Sequence, residues 1–226
     1  MKEKNLTQFW IFPIFGVLFF LFFYLVYGKE KFEAISFYAW LWAAAHVVLF
    51  GLLLYRPTLR KQTKAMPDFD EPLNLKNFIL AAFTGLIVWA IMAIFQPLVN
   101  IRLSQINAYF IPLALTPAIY NPIMQFSWHL FIVAWSEEIL AYILYAIGLI
   151  FPFKPEKQAI IGALFSRGVW AIFHLLRNPQ ISQHPILTIP AFLAGLAFYW
   201  LLRETGSLPA VAIAHGVFVN WISQIG

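Results

Sequence analysis

An all-α fold, a polytopic transmembrane helix bundle of about seven spans, is what this sequence predicts, and three observations predict it. Hydrophobic residues make up 62% of the 226 positions and charged residues only 11%, well under the quarter usual for soluble domains. Apolar runs near the roughly 17–25 residues needed to cross a bilayer recur seven times. Basic residues gather in alternate loops, as the positive-inside rule requires.

The first run is Trp10–Tyr27. Lys2 and Lys4 precede it and no small-residue cleavage site follows, so it reads as a retained span rather than a signal peptide. Ser36–Tyr55 is the second run, and Arg56–Lys76 after it is the one long polar loop. Phe78–Val99 is the third. Next comes Asn107–Pro122, where Pro112, Pro117 and Pro122 argue against one regular helix. It reads as an interfacial or re-entrant segment; as an eighth span it would reverse the orientation of everything after it. The remaining spans are Ile123–Phe151, Ala159–Leu176, Ile186–Leu202 and Leu208–Ile225. The chain reads as a single integral membrane domain, with three spans and the basic loop in 1–107 and a core in 108–226.

With the N-terminus inside, Lys2, Lys4, Arg56, Arg60, Lys61, Lys64, Lys76, Lys154, Lys157 and Arg203 are cytoplasmic. Lys29, Lys31, Arg102 and Arg177 are external, and Arg167 lies within a span. This asymmetry predicts a multi-pass protein of the plasma (inner) membrane with a cytoplasmic N-terminus. The net charge of +5 reflects those loops rather than nucleic-acid binding, and the Arg56–Lys64 run suits anionic headgroups. The absence of cysteine excludes disulfides and thiolate metal sites. Trp10, Tyr27, Tyr55 and Trp221 read as interfacial anchors.

Function is sought in the ionisable residues inside spans, because each costs at least a few kcal/mol there. Glu137 and Glu138 sit near the middle of the fourth span, Arg167 and His174 in the fifth, His215 and then Asn220 in the seventh. Adjacent carboxylates repel in a low dielectric, so one of them is suited to hold and return a proton. Such a set could activate water directly or hold a divalent metal, with zinc as the candidate, through Glu138, His174 and His215. No HExxH spacing is present. Ser166 and Ser207 have no histidine at a local spacing that would make them nucleophiles. His46 reads as a packing residue and His184 as a solvated loop residue. His129, eight residues before Glu137, falls about 80° around an α-helix from it and carries little weight.

These residues, in this order, resemble the CAAX-protease-like intramembrane endopeptidases, also called the CPBP or Abi family. The family's first motif is two glutamates, three residues, then arginine; here SEEILAY gives Glu137 and Glu138 but Tyr142 in the arginine's place. The second is a phenylalanine four residues before a histidine, matched by Trp170 and His174. Ala194 and Gly195 match a pair of small residues in the next span. The last is a histidine with asparagine four residues on; here His215 is followed by Val219, and Asn220 comes one later. The lead-in Thr205–Ala210 matches the family's turn into that helix. The resemblance runs from about Ser136 to Asn220.

It implies hydrolysis of a peptide bond in or beside the membrane. Glu138 would be the general base with Glu137 assisting, His174 would share the water, and His215 with Asn220 would stabilise the oxyanion. The substrate would be a hydrophobic or lipid-anchored peptide or protein, and lipid the surrounding partner. Arg167, seven residues before His174 and so on nearly the same face, stands in for the missing arginine. His174 lies about seven residues, or roughly 10 Å, past its span centre, so the fifth helix must be shifted or tilted. Two other readings remain at this point: a relative that no longer cuts and acts as a scaffold or immunity-type protein, and a proton-coupled transporter.

Overall fold

The computed structural model describes residues 7–62, 68–100, 126–150, 153–177 and 179–221. Asn107–Pro122 lies outside them. Among the described residues the fold is an all-helical bundle. The first helical stretch, Thr7–Gln62, is broken only at Gly28, whose φ of 80° and ψ of 173° lie outside the helical region. Gly28 therefore separates α1 (7–27) from α2 (29–62). Phe20 packs on Trp42 at 5.9 Å and Tyr24 on Phe32 at 5.5 Å, so the two arms run antiparallel as a hairpin. Then follow α3 (Leu75–Val99), α4 (Trp128–Gly148), α5 (Pro155–Arg177), the short α6 (Pro179–Gln183), α7 (Thr188–Thr205) and α8 (208–221).

Among the described residues five helices are long and apolar enough to cross a membrane: Ile11–Glu30, Leu75–Val99, Trp128–Gly148, Lys157–Leu176 and Pro185–Thr205. Two more apolar helices, Ala39–Gly51 and Leu208–Asn220, occupy the second and seventh expected positions but are shorter. The outward faces are apolar. Leu25, Val47, Ile94 and Leu176 are each at least 70% exposed, a surface that hydrocarbon can cover and water cannot. On α3 only one stripe, Asn77, Ala81, Thr84, Gly85, Val88 and Met92, turns inward. By contrast every residue from Leu208 to His215 in α8 is buried, so α8 forms the centre of the bundle beside α4.

Local chemistry fixes the turn into α8. Gly206 closes α7 in the left-handed region at φ 61°, donating its N–H to the Leu202 carbonyl at 2.7 Å. A Cβ there would meet Asp68 and Glu71 at 2.9–3.0 Å, so glycine is required for space as well as for conformation. Ser207 caps α8 by accepting from the Ala210 N–H at 3.3 Å, with Pro209 in the first turn where no donor is needed. The segment before α3 pins this turn: Leu208 N–H donates to the Phe69 carbonyl and Glu71 N–H to the Gly206 carbonyl, both at 2.9 Å.

Two helices contain π-helical segments, Trp128–Ala134 at the start of α4 and Ala214–Trp221 in α8. They meet at Gly216, where a Cβ would lie 2.8 Å from Leu130 Cα and 2.9 Å from the His129 carbonyl oxygen. Gly216→Val must push the two backbones apart. It is expected to lower stability by about 1–3 kcal/mol, the usual cost of overpacking, measured by thermal unfolding in detergent. An unchanged midpoint would mean that the helices do not touch there.

Candidate functional site

The acid–imidazole cluster forms where α4, α5 and α8 meet. Helices α4 and α5 run antiparallel through a close approach at Gly148 and Gly162, where a Cβ on Gly148 would lie 2.9 Å from Gly162 Cα. This register slides α5 along α4 by roughly five residues, or about 8 Å, bringing the end of α5 level with the middle of α4. The depth difference of His174 is thereby removed: His174 Nε2 lies 3.4 Å from Glu137 Oε2.

Glu138 is enclosed, only 1% exposed. Its Oε2 takes a hydrogen bond from Arg167 Nη2 at 3.0 Å, and its Oε1 lies 3.1 Å from His215 Nδ1. Arg167 reaches it because Gly195 of α7 leaves room: a Cβ on Gly195 would lie 3.0 Å from Arg167 Cδ. One of the two small residues thus has a physical role, and Arg167 supplies the cation missing at position 142. Tyr142 points elsewhere, packing on Phe69 at 4.5 Å, and is buried.

Each histidine is held from behind. His174 Nδ1 is 2.8 Å from the Trp170 carbonyl oxygen, which only accepts, so Nδ1 carries the hydrogen. The Glu138 carboxylate accepts likewise from His215 Nδ1. Both rings consequently present Nε2 to the same atom, Glu137 Oε2, at 3.4 Å and 3.8 Å. The His215 ring stacks on Phe198 at 4.9 Å and meets the edge of Trp170 at 5.9 Å. Trp170 also lies 4.0 Å from the His174 ring. Glu137 lines a cleft of about 440 Å³ whose walls are otherwise mainly apolar, including Ala44, Ala45 and Val48 of α2, Leu140 of α4 and Phe173 of α5.

The geometry therefore gives the two glutamates different surroundings. Both Glu138 oxygens are engaged by Arg167 and His215, whereas Glu137 stands between two Nε2 atoms at the cleft. Asn220 is buried on the π-helical segment. Bonding from i to i+5 implies roughly 4.4 residues per turn, so a residue five positions on lies about 50° round the helix, close to the 40° of i+4 in an α-helix. The one-residue displacement of the asparagine is absorbed by the helix type.

Among the described residues no group of three His, Asp or Glu side chains could hold an ion. The set Glu138, His174 and His215 would also require Glu138 to leave Arg167.

Other residues follow the plainer readings. His46 donates from Nδ1 to the Trp42 carbonyl at 2.7 Å and accepts at Nε2 from Trp135 Nε1 at 2.7 Å, a packing role. Ser166 Oγ bonds the Ala163 carbonyl and Ser207 Oγ caps α8. His184, expected in solvent, is half-buried before the 3₁₀ turn Pro185–Leu187. His129 received little weight on α-helical spacing. It is fully buried, on the helix that carries Glu137 and packed against the one that carries His215. The π-helical turns from 128 to 134 reduce its angular offset from Glu137 to roughly 30°.

Residues 119–222 match the family model described as Rce1-like: Type II CAAX prenyl endopeptidase Rce1-like. The match covers α4 to α8 and leaves out α1 to α3. No curated protein and no solved structure matches the chain.

Proposed function

We propose, from the premise that this chain is CAAX-protease-like over residues 119–222, that it is an intramembrane endopeptidase that activates water with Glu137 and two histidines. The observation that carries the reading is the convergence of His174 Nε2 and His215 Nε2 on Glu137 Oε2 at 3.4 and 3.8 Å. A water held there would contact one carboxylate oxygen and the imidazole edges. Glu137 takes a proton from that water as its oxygen attacks the peptide carbonyl. His174 accepts the water's other hydrogen at Nε2 and so aims the nucleophile. His215, in its doubly protonated form, donates from Nε2 to the developing oxyanion, with Asn220 as second donor. As the C–N bond breaks, Glu137 returns the proton to the leaving amine.

Glu138 and Arg167 are positioning groups: they hold His215 from behind and keep a negative charge paired away from the water. The apolar cleft beside Glu137 suits a hydrophobic or lipid-anchored peptide arriving from the membrane. Arg167 and the π-helical turn at Asn220 offset the two departures from the family motifs that favoured a non-cutting scaffold, and the protease is therefore the preferred reading. The basic-residue asymmetry supports a plasma-membrane location with the N-terminus cytoplasmic.

The test is cleavage of a co-expressed prenylated reporter and of a hydrophobic transmembrane reporter by wild type and His174→Ala. Cleavage by wild type with at least a tenfold loss in the variant is expected, since general acid–base groups contribute about 10²–10⁴. Equal processing by both forms would remove the protease reading. Chelation of divalent ions in the purified protein is expected to leave the rate unchanged; inhibition reversed by added zinc would return the metal mechanism.

A further inference from the structure

The buried imidazole of His129 is left over from this scheme. It is 0% exposed, and neither Nδ1 nor Nε2 has a hydrogen-bond partner among the described residues. A neutral imidazole needs both a donor and an acceptor partner, and leaving both unmet in an apolar bundle is costly. Buried polar groups without protein partners are where structural water resides. The position is specific. Trp128–Ala134 is π-helical, a form found mostly as short insertions in α-helices and frequently at functional sites. That winding turns His129 toward the face of Glu137. The opposite wall is α8, whose Gly216 lets the backbone approach the His129 carbonyl, next to His215.

We infer that His129 is a third histidine of the site, a positioning and proton-relay residue that acts through buried water on Glu137 and His215. The inference rests on the protease reading and adds a residue that none of the family motifs quoted above contains. The relay balances. Water bound at the unprotonated ring nitrogen passes a proton to it, and the N–H on the other ring nitrogen gives one up to the next water, so the ring ends neutral with its tautomer exchanged. One proton thus passes from protonated Glu137 through the ring to the water beside His215, and the reverse transfer, before Glu137 protonates the leaving amine, restores both the acid and the starting tautomer. The titratable groups whose fields reach the ring are Glu137 on its own helix and His215 on α8. The neighbouring α1 presents phenylalanines, with Phe12 on Phe131 and Phe19 on Trp128.

A purely packing histidine and a relay histidine respond oppositely to His129→Phe. Phenylalanine is similar in breadth and removes two unmet polar atoms, so thermal stability should hold or rise. The relay requires the cleavage rate to fall about ten- to a hundredfold all the same. Imidazole added to His129→Ala should restore part of the rate, because the vacated space accepts the missing ring, and it should do nothing for His129→Phe. If His129→Phe folds poorly, the imidazole response of His129→Ala alone decides: recovery supports the relay and none overturns it. Wild-type cleavage by His129→Phe, alongside an inactive Glu137→Gln, overturns the relay and leaves the protease standing. Wild-type cleavage by Glu137→Gln overturns both.

Discussion

Glu137→Gln is expected to lower peptide-bond hydrolysis by about 10²–10⁴-fold, the range for loss of a positioned general base, with folding intact. The amide keeps the shape of the side chain but cannot take the water's proton. Its neighbour should behave differently. Glu138→Gln leaves Arg167 buried beside a neutral amide, so its first effect is on stability, and its rate loss follows from a less firmly held His215. Cleavage assays and thermal unfolding on the same purified samples separate the two. A catalytic loss with unchanged midpoint is expected at 137, and a lowered midpoint at 138. The reverse pattern would return the base to Glu138.

Arg167→Met should destabilise the protein by about 3–5 kcal/mol, the cost of breaking a buried ion pair by removing one partner. The pair is 3.0 Å long with both side chains at most 2% exposed, so no solvent screens the glutamate left behind. The double variant Arg167→Met/Glu138→Met removes both charges and should recover most of that stability, because neither partner remains unpaired, while cleavage stays low. Gly195→Leu should act on the same pair from outside by crowding the Arg167 stem. If the double variant is no more stable than Arg167→Met, the two side chains do not interact as described. A charge-swapped Arg167→Glu/Glu138→Arg protein gives a further check, since a true pair should regain part of the stability lost in either single change.

These expectations depend on geometry that sequence reading reached in part. Glu137, Glu138, His174 and His215 were legible because ionisable groups are rare in apolar helices and each needs a reason to be there. Arg167 was legible as a partner because it shares a face with His174. The family resemblance added the order of the motifs, and the family model matches within the same half of the chain. Which of the two glutamates is enclosed was not legible. Adjacent residues point about 100° apart on any helix, and only the placement of Arg167 and His215 decides which one is enclosed. The helix type at Asn220 and His129 was not legible either: both residues sit on π-helical turns, which rotate side chains by less per residue than an α-helix does.

The sequence by itself determined the membrane bundle, the positions of its apolar helices and the identity of the buried ionisable residues. Those properties follow from local composition and from the solvation cost of charge, which depend on each segment alone. Tertiary structure decided which carboxylate faces the cleft, how α5 slides to bring His174 level with Glu137, and which way the π-helical turns rotate their polar residues. Each of these is set by close packing between helices distant in sequence, at Gly148 against Gly162, Gly195 against Arg167 and Gly216 against Leu130, and no single helix carries that information.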